Sequence, residues 1–94
     1  SKRRSIERIL ADFPDRRFVL VGDSGEKDPE IYAAVARRFP QQVAAIAVRE
    51  VASKHRSKPL DVRLAKLRRR LPKDVLWSFR EAEELGSLVA AASR

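Results

Sequence analysis

Two aspartates lie five residues apart in the string VGDSGEKDPE, which spans residues 21–30, and their types and spacing suit cation chemistry. Asp23 follows a short apolar run, and Asp28 precedes a proline that fits the first turn of a helix. Carboxylates in a loop before a helix N-terminus suit a hard cation together with a phosphate. Mg²⁺ usually takes one or two protein carboxylates, so the pair is a candidate Mg²⁺ site. An ordinary turn followed by Asp28 as helix N-cap is the alternative.

Four letters of this string, GDSG, also surround the nucleophilic serine of trypsin-like proteases. Such a serine needs a histidine and an aspartate, and in those proteases the chain order is histidine, aspartate, serine. The one histidine of this chain, His55, follows Ser24, so we exclude a protease. Ser24 and Gly25 are instead expected to shape the turn or to contact a phosphate.

The elements that must position this string follow from the hydrophobic periodicity, which predicts the order αβαβαβα. Helices are predicted over residues 3–13, 28–39, 60–71 and 79–92, and strands over residues 17–22, 43–48 and 74–78. The alternation predicts an α/β fold, with a parallel sheet of about three strands flanked by four helices. Ligands bind at the carboxyl edge of such sheets. Arg49 follows the second strand at that edge, where it is a candidate phosphate contact or a partner in a surface ion pair.

Composition narrows the class of protein. The chain has 94 residues and no cysteine, which fits one small domain without disulfides or thiolate metal sites. It has no apolar run long enough to span a membrane. We therefore expect a cytoplasmic protein.

The stretch RRFVLVGDSGEKDPEIYAAVARRFPQQVAAIAVREV resembles the catalytic domain of the actin-patch-associated phosphatidate phosphatase family, within the haloacid dehalogenase (HAD) superfamily. The resemblance covers about residues 2–51 and implies a partial HAD-like Rossmannoid fold. It implies that Asp23 and Asp28 coordinate Mg²⁺ as the fourth HAD motif, and that Lys2, as the third, neutralises phosphate. The implied substrate is a phosphomonoester, with phosphatidate at a membrane surface as the lipid candidate, so a location peripheral to a membrane also fits.

The resemblance also implies a part that this sequence lacks. HAD phosphatases attack phosphorus with an aspartate of a DxDxT string, and no such string occurs here. We therefore expect the C-terminal portion of a larger phosphatase domain, with the nucleophile upstream and the 94 residues inactive alone. The strand 17–22 would then expose one apolar edge, which predicts self-association through that edge.

A basic segment, residues 54–73, carries the net charge of +8. It holds nine of the 21 basic residues and one of the 13 acidic ones, so twelve of each remain elsewhere. A leucine stripe is expected to pack on the core, and the opposite face is expected to be solvated. The stripe comprises Leu60, Leu64, Leu67 and Leu71, and the opposite face comprises Arg63, Lys66, Arg69 and Arg70. An anionic membrane and a nucleic-acid backbone are both open as partners, although few interleaved aromatics disfavour single strands. The alternative function is therefore a non-enzymatic basic α/β module.

Overall fold

A computed structural model describes residues 1–51 and 59–93, and these residues form the elements in the predicted order. The helices are α1 (Lys2–Asp12), α2 (Asp28–Arg38), α3 (Leu60–Arg68) and α4 (Ala82–Ala92). The strands are β1 (Phe18–Asp23), β2 (Val43–Arg49) and β3 (Leu76–Phe79). The predicted α/β class, with three strands and four helices, is confirmed. The first part of the basic segment, including His55, lies outside the described residues.

The three strands form one parallel sheet in the order β1-β2-β3. Asp23 is level with Arg49 in the register of β1 and β2, and Arg49 is level with Phe79 of β3. The prediction of a parallel sheet with the first strand beside the second is therefore confirmed. The register also places Asp23 and Arg49 together at the carboxyl edge.

The core lies on both faces of β2, because its residues alternate between the two faces of the sheet. Ile46 and Val48 are fully buried in the cluster that includes residues of α1, α2 and α3. Ala45 and Ala47 point to the other face, where α4 packs on β2 and β3. Alanine side chains leave little depth there, and no residue of α4 is fully buried.

The buried side chain of Gln42 fixes α1 to the start of β2. Its Nε2 donates to the carbonyl oxygens of Leu10 at 2.8 Å, Phe13 at 2.9 Å and Arg16 at 3.3 Å. These carbonyls lie at the end of α1 and in the turn after it, where a helix leaves carbonyls without internal partners. The contacts hold α1 against the sheet, and α1 carries Lys2.

Three local predictions are wrong, and the way in which the elements pack explains each of them. Asp28 is not an N-cap: Lys27 is, without a side-chain hydrogen bond, and the Asp28 carboxylate is bonded elsewhere. The string SFRE (residues 78–81) has the capping-box pattern and predicts Ser78 as the N-cap of the last helix. Ser78 pairs with β2 instead, and Glu81 is the cap and forms a capping box with Glu84. The apolar spacing of the last helix predicts that Val89 faces inward, but Val89 is 37% exposed because α4 packs shallowly.

The prediction for α3 is half right. Leu60 and Leu64 are buried, and the later leucines of the stripe pack against the core, as predicted. Arg63 was expected on a solvated face, but its side chain is only 17% exposed and forms an ion pair with Glu30 of α2. The helix is therefore tied to α2 by a charged contact as well as by leucines. No helix among the described residues is long and apolar enough to cross a membrane.

Candidate functional site

The carboxylate of Asp28 lies at the centre of the site, and the residue is 4% exposed. Its Oδ2 accepts a hydrogen bond from the backbone amide of Asp23 at 3.2 Å, across the β1–α2 loop (residues 24–27). Its Oδ1 accepts from Lys2 Nζ at 2.6 Å. Because a buried carboxylate needs hydrogen-bond and charge partners, these two contacts explain how the Asp28 side chain is accommodated at this depth.

Lys2 reaches this carboxylate from the first turn of α1. Ser1 caps that turn, with its Oγ accepting from the backbone amide of Arg4 at 3.3 Å. The hydrogen bond to Asp28 raises the pKa of Lys2 above its ordinary value, against a smaller opposing effect of desolvation. The Lys2 ammonium is therefore protonated at neutral pH, and 46% of its side chain is still open to solvent. It is available to a second anion.

Tyr32 and Gly22 form the wall behind Asp28. The Tyr32 hydroxyl donates to the carbonyl oxygen of Val21 at 3.0 Å, and the Lys2 ammonium lies 5.8 Å from the ring centre. Burial is the main cause that raises the pKa of Tyr32, and the charge of Asp28 adds to it. A Cβ on Gly22 would lie 2.5 Å from Asp28 Oδ2 and 2.7 Å from Tyr32 Cε2. Glycine is therefore required for Asp28 to approach the strand.

The side chain of Asp23 shapes the loop that follows it. Asp23 Oδ1 accepts from the backbone amide of Gly25 at 2.9 Å, in an Asx-turn arrangement. Ser24 is 2% exposed, and its backbone amide donates to the Arg49 carbonyl at 2.9 Å. Ser24 Oγ accepts from the backbone amide of Val51 at 2.8 Å. The serine thus ties the loop to the end of β2.

The structure brings most of the predicted site residues to one edge of the sheet. Lys2, Asp23 and Asp28 are linked through direct contacts, and Ser24 and Gly25 form the loop between the aspartates. Arg49 is exposed at the same edge, one strand away. Within residues 1–51 and 59–93 no group of three His, Cys, Asp or Glu side chains is arranged around a metal position. Two carboxylates are therefore the most that this part of the chain offers a cation.

Sequence reasoning missed Tyr32, Arg63 and Glu30 as parts of this site. Tyr32 lies on the buried face of α2, where the apolar spacing predicts a core residue and nothing more. Arg63 is 39 residues from the loop carbonyl of Ser24 to which it donates, and no local pattern reports a contact at that range. The close approach of Asp28 and Tyr32 to Gly22 is likewise a tertiary contact that no local pattern reports, although Gly22 belongs to the string VGDSGEKDPE.

Comparison with known proteins identifies the family. The family model described as "Phosphatidate phosphatase APP1, catalytic domain" matches residues 1–50. The chain belongs to this family. The match includes every predicted site residue from Lys2 to Arg49, whereas Arg63 lies beyond it.

Two fungal relatives match the same half of the chain. Phosphatidate phosphatase APP1 of Saccharomyces cerevisiae is 52% identical over 48 residues, which cover 51% of this chain and 8% of that protein. An uncharacterised protein of Schizosaccharomyces pombe is 42% identical over 52 residues, covering 55% of this chain and 9% of that protein. The chain therefore spans less than a tenth of the length of either relative. No solved structure matches the chain.

Proposed function

We propose that the chain supplies the Mg²⁺- and phosphate-binding loop of a HAD-type phosphatase. Asp23 and Asp28 hold the cation, and Lys2 meets the phosphate of the substrate. The observation that carries the proposal is the 2.6 Å ion pair between Lys2 and the buried Asp28. This pair joins α1 to the first residue of α2 and places one ammonium beside one carboxylate, at the sheet edge where Asp23 also lies. The family match favours this function over a basic binding module.

The donor set fits Mg²⁺. Two carboxylates are what this ion usually takes from a protein, and waters and a substrate phosphate complete its six oxygen ligands. Bound there, Mg²⁺ would supply Lewis-acid stabilisation of charge on the phosphate. The chain's own residues do the rest: the Gly25 amide orients Asp23, and the Asp23 amide and Lys2 orient Asp28. Lys2, protonated and half-open to solvent, donates to a phosphate oxygen.

The substrate is proposed as a phosphomonoester, with phosphatidate as the lipid candidate because the yeast relative is named for it. The attacking aspartate of a HAD reaction would stand in a DxDxT string, which is absent from the 94 residues. We therefore place the nucleophile in another part of a longer protein. The 94 residues alone should release no phosphate.

The test is Mg²⁺-dependent phosphate release from phosphatidate vesicles by the full-length protein. Asp23→Asn and Lys2→Met should each lower turnover by roughly 100-fold or more, as loss of a preorganised charged group at a reacting centre does. Glu26→Gln is the matched control, because Glu26 is an exposed carboxylate in the same loop. It should retain full activity. Undiminished turnover of Asp23→Asn at saturating Mg²⁺ would contradict the proposal. Phosphate release from a soluble phosphomonoester, measured in parallel, distinguishes a preference for the lipid from general phosphatase activity.

A further inference from the structure

Arg63 reaches from α3 to the β1–α2 loop and the first turn of α2, and its guanidinium makes two hydrogen bonds to each. Nε and Nη2 donate to the two carboxylate oxygens of Glu30 at 3.2 and 2.7 Å. Nη1 donates to the Ser24 carbonyl at 2.9 Å, and Nη2 also donates to the Glu26 carbonyl at 3.0 Å. One side chain thus holds the loop on both sides of Gly25.

The contacts of Arg63 are of two kinds: the ion pair with the Glu30 carboxylate orients the guanidinium, and the bonds to the loop carbonyls hold the loop. The bidentate bond to Glu30 fixes the plane of the guanidinium, because both groups are flat and their donors and acceptors match in pairs. Glu30 itself stands on the first turn of α2, so the anchor is a helix rather than a loop. The remaining donors of Arg63 then face the loop carbonyls from a fixed position.

Holding the Ser24 carbonyl also fixes the amide that follows it. In a planar trans peptide the C=O of one residue and the N–H of the next point in opposite directions. The Ser24 carbonyl points to Arg63, so the Gly25 N–H points away from it. That N–H is the group that donates to Asp23 Oδ1 at 2.9 Å.

We infer that Arg63 is a positioning residue for the Asp23 carboxylate, acting through the peptide plane between Ser24 and Gly25. The path runs from Glu30 to Arg63, through the Ser24 carbonyl to the Gly25 amide, and from there to Asp23. Ser24 contributes from the other side, since its amide is bound to the Arg49 carbonyl and its hydroxyl to the Val51 amide. The consequence for Mg²⁺ rests on the proposed function, whereas the consequence for the Gly25 amide does not.

The first measurement is amide hydrogen exchange of the 94-residue chain by NMR, with Arg63→Lys as the variant. The chain has three glycines, so the Gly25 resonance is readily assigned. Lysine keeps the charge but lacks the planar fork. We expect exchange of the Gly25 amide to accelerate about tenfold or more, as expected for loss of a hydrogen bond to a charged group. The amide of Gly86 in α4 should not change.

Two further variants keep the test sharp. Lys66→Gln removes a positive charge from an exposed position one turn along α3 and should leave Gly25 unchanged. Glu30→Gln weakens the anchor but leaves Arg63 able to reach the loop carbonyls, so it should accelerate Gly25 exchange by less than Arg63→Lys. This milder variant serves if Arg63→Lys fails to fold.

The second measurement is the Mg²⁺ dependence of phosphate release by the full-length protein. Arg63→Lys should raise the Mg²⁺ concentration for half-maximal activity by roughly 10- to 100-fold, the usual cost of losing a group that orients a metal ligand. Turnover at saturating Mg²⁺ should fall less. Lys66→Gln should change neither quantity.

The outcomes separate the inference from the proposed function. Unchanged Gly25 exchange in a folded Arg63→Lys variant overturns the inference, and so does an equal acceleration of all amides, which marks Arg63 as a general stabiliser. Faster Gly25 exchange together with full activity of Asp23→Asn supports the positioning role and overturns the proposed function instead.

Discussion

Gly22→Ala should destabilise the chain even though alanine is ordinarily a better residue than glycine in a strand. The added Cβ would lie 2.5 Å from Asp28 Oδ2, 2.8 Å from Asp28 Cβ and 2.7 Å from Tyr32 Cε2. Carbon atoms attract at about 3.5–4.0 Å, so these contacts are roughly 1 Å too short. Neither neighbour can withdraw freely, because Asp28 is held by two hydrogen bonds and Tyr32 by the Val21 carbonyl.

The magnitude follows from two opposing effects. Overpacking a filled site costs about 1–3 kcal/mol. Replacing glycine lowers the entropy of the unfolded chain, which stabilises by about 0.4–1 kcal/mol where the backbone accepts alanine. Gly22 does not have a positive φ, so the backbone adds no strain of its own. The net expectation is a loss of about 1–2 kcal/mol in the free energy of unfolding.

Urea denaturation of the 94-residue chain, followed by circular dichroism, measures this loss, and Gly86→Ala is the matched control. Gly86 lies inside α4 with no atom within 4 Å of its added Cβ. The same substitution there should stabilise by about 0.5–1 kcal/mol. The two variants should therefore differ in sign. A Gly22→Ala chain as stable as the unmodified one would refute the reasoning that glycine is required for the approach of Asp28.

Three other predictions concern different parts of the molecule. Tyr32 is the one tyrosine of the chain, so an absorbance titration reports its pKa directly. Because burial and the charge of Asp28 raise this pKa, the midpoint should lie above 10 and move toward 10 in Asp28→Asn. A midpoint at or below 10 would contradict burial as the cause. Backbone hydrogen bonds from Glu81 and Arg80 lower the pKa of Glu84, so its stabilisation of α4 should be present above the unfolded pKa near 4.3 and be lost on acidification below it. Glu84→Gln keeps a hydrogen-bond acceptor, so the free energy of unfolding from urea denaturation should vary less between about pH 3 and 6 than in the unmodified chain. An unchanged pH dependence of that free energy would count against the capping box. Val21 is 45% exposed on β1, so we expect the chain to self-associate through that strand, measured as a rise in mass with concentration in light scattering. Val21→Lys should reduce this self-association. A monomer at all concentrations would refute the prediction.

The elements could be predicted from the sequence because their signals are local. Apolar residues at helical spacing in α1 and α3, and short apolar runs in β1 and β2, report burial through neighbours a few positions away. The same holds for the order of the strands, since short connections between parallel strands leave few topologies. The parallel sheet and the edge at which Asp23 and Arg49 meet were therefore accessible without coordinates.

The contacts that define the site could not be predicted in the same way, because they depend on how elements pack. Asp28 has the sequence signal of an N-cap, yet its carboxylate turns back to the Asp23 amide, where Lys2 also reaches it. As an N-cap, the Asp28 carboxylate would accept one hydrogen bond from an amide of its own helix. In the observed position it accepts one from the Asp23 amide of β1 and one from the Lys2 ammonium. Arg63 and Glu30 are 33 residues apart, and only the packing of α3 on α2 joins them.

The geometry of α3 also shows that the described part of the basic segment, residues 59–73, does not form one surface. Arg63, near its start, contacts the loop at the carboxyl edge of the sheet. Arg68, at its end, donates through Nε and Nη2 to the carbonyl of Leu76, the first residue of β3. Arg69, Arg70 and Lys73 follow α3 and precede β3, so they lie toward the opposite edge. An anionic partner bound by those three residues would therefore contact a different end of the molecule from Asp23, and a membrane bound there would not present phosphate to the β1–α2 loop.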